Sequence, residues 1–517
     1  MFRKIVLFTI SALAVLLMLA ACDTGDGTAG PIDFTFTSYP MDVPEDVTIT
    51  WFTFQEFGMD PTLASWRDSP FLIGLNEQLG VNIEWVFPVA GADPVAGFQL
   101  LIAAGDLPDI IHGAHIAMDA ERLIDEGVIR DLTPWMQYAP NYHAFLHDNI
   151  ARLRAFRTDS GRYYGFGFFR EDGGWAASFQ GPLVRQDWLD QLGLPVPTTI
   201  GCWDYTLRAF HDEFNGATLQ IPWGRFNGPG FLAGAFGAFA STGYRLFLCP
   251  QTDTIQLAQV LPEWRDYITH MNMWWNEGLI DQDLLTATDA TVRTNMLNNE
   301  GGLSFSAQSQ ITLWTLDAEE LNTGAVWVAA PFPTGNDGTL TMVYGGPGII
   351  PGSTSSITHS VSDDRMEIAM RILDFAFSPE GFLYWNFGTE GVSWNMVNGE
   401  PVFSDLLRND PDGIAHSMLQ HVGTVWHAPG IQATQVVVQR NHPAAIAATN
   451  LWWETTGHIA VQYPLPPGMF LNAAEASRAE ELRSPIQTHV NEMTVRFLTG
   501  GEPIENFDSF VATIHAE

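Results

Sequence analysis

Apolar and polar residues alternate along two short stretches near the start of the chain, at 47–52 and 81–86. Both stretches are rich in β-branched and aromatic residues, so each predicts a half-buried strand. The stretch 71–79 between them has the apolar spacing of a helix. A strand, a helix and a second strand within ~40 residues predict a βαβ unit, whose two strands pair in parallel.

The alternation of strand and helix patterns continues along the rest of the chain. A predicted helix at 95–104 ends at Gly105, and a short buried strand follows at 109–111. Further strands are predicted at 181–185, 325–331 and 348–350, and further helices at 262–277, 364–377 and 475–498. The chain is therefore predicted to be an α/β protein.

The first 22 residues have the pattern of an export signal. Arg3 and Lys4 precede an apolar run at 5–19, and the motif Leu-Ala-Ala-Cys ends at Cys22. Roughly 15 apolar residues are fewer than the ~20 that a helix needs to span a bilayer. The motif resembles a bacterial lipobox. This resemblance implies that 1–21 is a lipoprotein signal peptide and that the thiol of Cys22 is lipidated at the cell membrane, on its extracytoplasmic face.

The rest of the chain is long enough for two hydrophobic cores. Residues 22–46 are small and polar without periodicity, which is typical of a flexible tether. Removal of 21 of the 517 residues leaves 496, more than the ~250–300 residues at which a single core stops growing. Two lobes are therefore expected after the tether.

The composition excludes several classes of partner and chemistry. The formal net charge is −36 without any basic run, which argues against nucleic acid as a partner. Lys4 is the only lysine, so the mature chain has none for a phosphate-binding loop or a Schiff base. Cys202 and Cys249 either form a disulfide or remain as two free thiols.

Several phrases occur in the order in which one protein family carries them. They are AAGDLPDII at 103–111, EGVIRDLTP at 126–134, YAPN at 138–141, RQDWLDQLGL at 185–194, PTT at 197–199, NEGLID at 276–281, SPEG at 378–381, FGTEG at 387–391 and FLTG at 497–500. The chain resembles the extracellular solute-binding proteins of ATP-driven (ABC) importers, in the lipoprotein branch with oligosaccharide-binding members.

The resemblance implies a periplasmic-binding-protein-like fold, in which a hinge joins two α/β lobes and ligand binds in the cleft between them. By analogy the first lobe comprises 47–165 and 345–400, and the second comprises 166–344 and 401–517. The implied partners are a carbohydrate ligand, the permease subunits of the transporter and the membrane, which is reached through the N-terminal lipid. We expect the binding protein itself to be a monomer.

A cleft for a sugar needs flat apolar faces and a few polar side chains. The ligand-binding candidates lie at predicted strand ends and in loops: the aromatic residues Trp51, Phe54, Trp223, Phe226, Tyr344, Trp385 and Trp394, and the polar residues Gln55, Gln308 and Glu390. For every one of these residues, core packing or a solvated surface position is the alternative interpretation.

No cofactor or metal is expected. Some members of the resembled family carry a calcium loop shaped like an EF-hand, which would fall at 212–222 in this chain. Calcium binds six to eight oxygen ligands, several of them from carboxylates. After Glu213 this stretch offers Asn215, Thr218 and Gln220 but no further acid. We therefore expect that the loop does not bind calcium.

Two other functions remain as alternatives. An extracytoplasmic carbohydrate hydrolase would need two facing carboxylates, and 59 acidic residues make a chance pair easy to find. The motifs His-Glu-x-x-His, Gly-x-Ser-x-Gly and paired Cys-x-x-Cys are absent, so no catalytic residue is predicted. A ligand-sensing lipoprotein that reports to a membrane receptor would share the fold and differ in its partner.

Overall fold

The computed structural model describes most of the chain after the N-terminal signal. The described residues are 32–35, 38–53, 66–87, 94–171, 175–222, 228–238, 245–249, 252–341, 349–423, 429–460 and 473–516. Among these residues, no helix is both long and apolar enough to cross a membrane.

The first lobe is built on a six-stranded sheet. Its strands, in spatial order, are β14 (Gly430–Gln432), β4 (Phe166–Arg170), β11 (Ile349–Ile357), β3 (Ile110–His112), β1 (Thr48–Phe52) and β2 (Asn82–Val86). The pairs β1–β2, β1–β3 and β4–β14 are parallel, whereas β11 is antiparallel to both β3 and β4. Five strands of this sheet therefore run in one direction and β11 runs in the other.

The second lobe is built on a four-stranded sheet. Its strands, in spatial order, are β10 (Trp327–Ala329), β5 (Gln180–Arg185), β9 (Gly301–Ala307) and β6 (Thr218–Gln220). Strands β6 and β9 are parallel, and β5 is antiparallel to both β9 and β10. Two hairpins lie outside the sheets, β7 (Leu246–Cys249) with β8 (Thr254–Leu257) and β12 (Trp394–Val397) with β13 (Glu400–Phe403).

Helices cover both sheets. In the first lobe they are α1 (Pro70–Leu79), α2 (Pro94–Ala104), α3 (Ala114–Asp125), α4 (Pro140–His147), α5 (Ile150–Ala155), α11 (Asp363–Phe375), α12 (Pro379–Phe387), α13 (Asp405–Arg408), α14 (Ile414–His421) and α15 (Thr434–Arg440). In the second they are α6 (Gln186–Leu192), α7 (Ile200–Glu213), α8 (Pro262–Asn276), α9 (Asp289–Leu297), α10 (Gln308–Glu320), α16 (Pro443–Ala460), α17 (Ala473–Thr499) and α18 (Phe507–Ala516).

Short 3₁₀ helices connect several of these elements. They comprise Trp66–Asp68, Thr133–Tyr138, Trp175–Ala177, Gly228–Phe236, Ala258–Val260, Leu284–Thr286 and Ile504–Asn506. Each lobe has its own large hydrophobic core, and a small third cluster around Phe387 and Trp394 lies under the hairpin β12–β13.

The sheets divide the chain at different positions from those predicted. We expected the first lobe to end at 165 and the segment 401–517 to belong to the second lobe. Instead, β4 and β14 both lie in the first-lobe sheet, where Gly430 pairs with Phe168. Val436 of α15 also packs in the cluster around Phe387. The final return to the second lobe therefore starts after β14, with α16 as its first helix packed there.

The N-terminal stretch before β1 is packed along the first lobe, although 22–46 was predicted to be a free tether. Met41 is buried in the first-lobe core, and its N–H donates to the carbonyl of Leu79 at 2.8 Å. The Tyr39 hydroxyl donates to the carbonyl of Arg371 at 2.7 Å, and its ring lies 4.8 Å from that of Phe375. We call residues 38–47 the strap. Of the predicted tether, 22–31 lies outside the described residues.

The strap also requires a glycine at the end of α1. Gly80 has φ +71°, and a Cβ atom at this position would lie 2.5 Å from the carbonyl oxygen of Met41. A side chain would therefore strain the backbone and push the strap away.

A buried carboxylate joins two helices of the first lobe. Asp374 of α11 accepts hydrogen bonds from the N–H of Tyr142 at 2.7 Å and from Nδ2 of Asn141 at 2.7 Å, in the first turn of α4. Burial raises the pKa of Asp374 to about 6, although these hydrogen bonds act in the opposite direction.

Removal of the strap should destabilise the first lobe. A protein that begins at Thr48 loses the buried Met41 and the Tyr39 contacts, so its free energy of unfolding should be at least about 2 kcal/mol lower than that of a protein beginning at Ile32. Urea unfolding of the two proteins measures this difference. Tyr39→Phe in the longer protein is the control, and it should lose only about 1 kcal/mol with its hydroxyl. Equal stability of the two proteins would show that the strap is not part of the fold.

The raised pKa of Asp374 predicts a pH dependence of stability. The folded protein keeps this proton up to about pH 6, whereas an unfolded chain loses it near ~3.9. The contribution of Asp374 to stability is therefore complete below about pH 4 and is lost as the pH rises through 6. The free energy of unfolding falls by no more than about 1.4 kcal/mol per pH unit in this range.

Asp374→Asn should remove this part of the slope. The free energy of unfolding, measured in urea at several pH values from 4 to 7, should then fall less with rising pH than in the wild type. The readout is the slope, because the substitution also changes the absolute stability. Parallel pH profiles of variant and wild type would contradict the prediction.

Candidate ligand-binding cleft

The parallel strands of each sheet place their carboxyl ends along one edge. In the first lobe these are the ends of β1, β2, β3, β4 and β14. In the second lobe the carboxyl ends of β6, β9 and β10 share an edge with the amino end of β5. We call these two lines the cleft edges, because ligands of open α/β sheets bind outside the carboxyl ends of the strands.

The first two of the three chain crossings between the lobes run from one cleft edge to the other. Nine residues, 171–179, join the carboxyl end of β4 to the amino end of β5. The chain then leaves the carboxyl end of β10 and enters the first sheet at the start of β11, next to Phe169 of β4. The last crossing follows α15, which comes directly after β14 and packs in the first lobe. The two edges therefore face each other across the crossing segments.

The first crossing is held at both ends. The guanidinium group of Arg170 lies 5.4 Å from the ring centre of Phe179. This contact joins the end of β4 to the start of β5. Trp175 Nε1 donates to Oδ1 of Asn450 in α16 at 2.8 Å. The carboxylate of Glu171 accepts a hydrogen bond from the N–H of Thr434 at 2.9 Å. These contacts fix the first crossing to both lobes.

Three buried glutamines lie at or next to strand ends of the second-lobe sheet. The side chain of Gln220 extends back from the carboxyl end of β6 towards Gly301 at the amino end of β9. Gln220, which is 2% exposed, donates from Nε2 to Thr218 Oγ1 at 2.8 Å and accepts at Oε1 from Asn295 Nδ2 at 3.0 Å. Gln308 is 4% exposed, and its Oε1 accepts from the Thr449 hydroxyl. Gln180 is 1% exposed, and neither atom of its amide has a hydrogen-bond partner.

The first-lobe edge is also polar. Thr53, His112, Arg170 and Gln432 are all buried at or directly after the carboxyl ends of strands. Nδ1 of His112 lies 3.2 Å from the hydroxyl of Ser355 in β11. Sequence reasoning missed these residues and Gln180, and it considered Gln220 only as an oxygen ligand for calcium. In the sequence these residues share one feature, a polar side chain where a buried strand ends. The candidates were instead selected mainly as aromatic residues in loops and at strand ends.

Comparisons with known proteins agree with this architecture. No family model matches the chain. It is 22% identical to lipoprotein LipO of Bacillus subtilis (strain 168) over 355 residues, which cover 66% of this chain and 67% of LipO. It is 20% identical to an uncharacterised protein of Niallia circulans over 262 residues, covering 49% of this chain and 93% of that protein.

Solved structures match nearly the whole chain. The alginate-binding protein AlgQ2 without calcium ion superposes with a TM-score of 0.73 at 20% identity, covering 93% of this chain and 97% of AlgQ2. The S. pneumoniae ABC-transporter substrate-binding protein FusA in complex with kestose superposes with a TM-score of 0.71 at 17% identity, covering 91% of this chain and 96% of FusA. An HMO-binding ABC-transporter-associated protein from Bifidobacterium longum infantis superposes with a TM-score of 0.71 at 17% identity, covering 91% of this chain and 95% of that protein. The chain has the two-lobed fold of the ABC-transporter solute-binding proteins. The fold expected from the sequence is thereby confirmed.

Three of the predicted aromatic platforms lie in the interior of the solute-binding fold. Trp51 is 1% exposed and stacks on Trp85 at 4.9 Å in the first-lobe core. Trp385 is buried beside Phe71, with ring centres 5.1 Å apart. Trp394 is buried in the small third cluster, where Nε1 donates to the carbonyl of Gly388 at 3.0 Å. Their rings are covered by protein, so we no longer treat them as ligand platforms.

The polar candidates have different positions. Gln308 starts α10 directly after β9 and therefore lies at the second-lobe cleft edge. Glu390 is exposed in the turn between α12 and β12. Cys22, Phe54, Gln55, Trp223, Phe226 and Tyr344 lie outside the described residues, and their roles stay predictions.

The stretch 212–222 forms the end of α7, a turn and β6. Asn215 and Gly216 both have positive φ in this turn. The Thr218 hydroxyl donates to the carbonyl of Glu300 at 3.3 Å, and Gln220 is bonded to Thr218 and Asn295. Thr218 and Gln220, two of the three side chains considered as calcium ligands, therefore make hydrogen bonds within the protein.

Both remaining cysteines are free thiols. Cys202 is exposed near the start of α7, whereas Cys249 is buried at the end of β7. Of the two possibilities left open by the sequence, the structure has the free thiols.

Proposed function

We propose that the protein is an extracellular solute-binding lipoprotein that captures a carbohydrate, specifically an oligosaccharide, and delivers it to the permease subunits of an ABC transporter. The observation that carries this proposal is the pair of facing cleft edges, which are lined by buried amide, hydroxyl, imidazole and guanidinium groups. Hydroxyl-rich ligands need such donors and acceptors. The names of AlgQ2, FusA and the HMO-binding protein support the carbohydrate class, because each refers to a saccharide ligand.

Aromatic faces for the sugar rings are proposed from the candidates that the core does not use. Phe54 and Gln55 follow β1 closely in the chain, Trp223 and Phe226 follow β6, and Tyr344 precedes β11. Each adjoins a strand end on a cleft edge in sequence. We propose that they contact the ligand together with Gln308.

The described cleft edges favour binding over hydrolysis. A glycosidase needs two carboxyl groups at about 5–10 Å across the bond that is cut. Among the described strand ends that form the edges, Glu171 is the carboxylate that directly follows a strand, and it accepts a hydrogen bond from the backbone of Thr434. We therefore propose a binding protein and assign no catalytic residue, and the expectation that it has no cofactor stays a prediction.

Attachment to the membrane is proposed through lipidated Cys22. The lipobox-like motif supports it, and a relative is named a lipoprotein. Because the strap holds 38–47 on the first lobe, at most sixteen residues, 22–37, would separate the lipid from the strap. The first lobe would then be the lobe nearer to the membrane.

Ligand should stabilise and compact the protein. A ligand that closes the lobes must bind the closed form better than the open one. At a hundredfold excess over its dissociation constant it should raise the free energy of unfolding by about 2.7 kcal/mol. Thermal unfolding of the protein from Ile32 onwards, with kestose, alginate oligosaccharides and milk oligosaccharides, identifies the sugar, and X-ray scattering then measures compaction.

Three outcomes separate the alternatives. No response to any of these sugars would contradict the carbohydrate proposal. Time-dependent shortening of a bound oligosaccharide, lost on substitution of one carboxylate, would favour the hydrolase. Binding by a protein that co-purifies with a membrane receptor and not with permease subunits would favour the ligand-sensing lipoprotein.

Lipidation has its own test. Cys22→Ala should abolish incorporation of labelled fatty acid and release the protein from the membrane fraction, because no other residue can become the lipidated N-terminal cysteine. Cys202→Ala, which removes an exposed thiol elsewhere, is the matched control and should keep the label. Labelling that persists in Cys22→Ala would refute the assignment.

A further inference from the structure

Gln180 differs from every other described side chain in one respect. Both Oε1 and Nε2 of its amide are buried without a hydrogen-bond partner, whereas other side chains of the described residues have at most one such atom. A buried polar group without a partner costs about 1–3 kcal/mol. Native proteins carry few of them, and each one needs an explanation.

The second-lobe edge is able to satisfy buried glutamines. Gln220 has partners for both amide atoms, and Gln308 has one for its oxygen. All three residues are buried at strand ends of the same sheet. The unpaired amide of Gln180 is therefore specific to that position and not a general property of the edge.

The strand pairing defines where the Gln180 side chain lies. Gln180 pairs with Ala307 at the end of β9, and the next residue, Gly181, faces α16. A Cβ atom at Gly181 would lie 2.3 Å from the ring of Trp452. Because successive side chains alternate between faces, Gln180 lies on the opposite face from α16.

That face is the one on which the 3₁₀ helix Gly228–Phe236 packs. Phe305, which shares a face with Gln180, stacks on Phe231 at 4.4 Å. In the chain, this helix follows the segment that contains the predicted platforms Trp223 and Phe226. Gln180 is also the first strand residue after the crossing segment from the first lobe. Its amide is therefore placed at the cleft end of the sheet.

We propose that Gln180 is a specificity-determining ligand contact that rotates into the cleft and bonds to adjacent hydroxyl groups of the sugar. This inference rests on the proposed carbohydrate-binding function. A primary amide presents a donor and an acceptor side by side, which matches two neighbouring hydroxyls. Rotation breaks no hydrogen bond, because the amide makes none in this structure. Hydrogen bonds from the sugar hydroxyls therefore satisfy an amide that otherwise has no partner, and this gain favours binding.

The proposal predicts opposite effects on stability and on binding. Gln180→Met keeps the length of the side chain and removes the unpaired amide. The melting temperature of the ligand-free variant should be equal to or above that of the wild type, whereas its affinity for the sugar should fall about tenfold. A residue whose role is structural would lose stability instead.

Gln220→Met is the matched control. It removes an amide of the same size from the same sheet and breaks the hydrogen bonds of that amide to Thr218 and Asn295. Its melting temperature should fall by several degrees, and the dissociation constant for the sugar should change less than in Gln180→Met. The probe is whichever of kestose, an alginate oligosaccharide and a milk oligosaccharide raises the melting temperature of the wild type.

Each outcome decides the matter. A melting temperature of Gln180→Met that falls as far as that of Gln220→Met would assign a structural role and overturn the inference, even before any sugar is added. An unchanged melting temperature with unchanged sugar affinity would also overturn it, and would leave the carbohydrate proposal intact. If no probe binds the wild type, the carbohydrate proposal itself fails, and this inference fails with it.

Discussion

The position of the three chain crossings determines how this molecule can work. The first two crossings leave one sheet at the edge where parallel strands end and enter the other lobe from that side, and the third follows the helix α15 that comes directly after β14. The polar ends of two sheets are thereby held opposite each other, while the two hydrophobic cores stay separate. A ligand between the edges contacts both lobes, and rotation about the crossings changes the distance between them. The proposed cleft and its proposed closure both rest on this connectivity.

The phrase RQDWLDQLGL, one of those that carry the family resemblance, has a structural role. Arg185 is buried at the end of β5, where its Nε and Nη2 atoms contact both oxygens of Asp187 at 2.8 and 2.6 Å. Its guanidinium group stacks 4.3 Å from the ring centre of Trp188. Asp187 in turn accepts a hydrogen bond from the N–H of Val326, next to β10. The phrase therefore holds strand, helix and neighbouring strand together without touching the cleft, and its presence identifies the fold and not the ligand.

Stability and function make opposite demands at the cleft edge. Gln220 is fixed by partners from β6 and α9, which stabilise the sheet. Gln180 at the same edge has no such partners, so its amide is free to turn towards a ligand. The strap, in contrast, stabilises the first lobe, since its hydrogen bonds hold the start of the folded body against α1 and α11. The protein thus combines a firmly held lobe with a cleft edge that retains unused hydrogen-bonding capacity.

Local patterns in the sequence determined the α/β class and most elements near their observed limits, including β1, β2, α8 and α17, because periodicity depends on residues close together in the chain. The tertiary structure alone decided which of these elements share a lobe. It added β14 to the first-lobe sheet through pairing with β4, more than 250 residues away, and docked the strap. It also buried Trp51, Trp385 and Trp394 and distinguished Gln180 from Gln220. Whether an aromatic ring is covered, or an amide satisfied, depends on partners such as Trp85 and Asn295 that the fold brings from elsewhere in the chain. The local pattern contains no information about these distant partners.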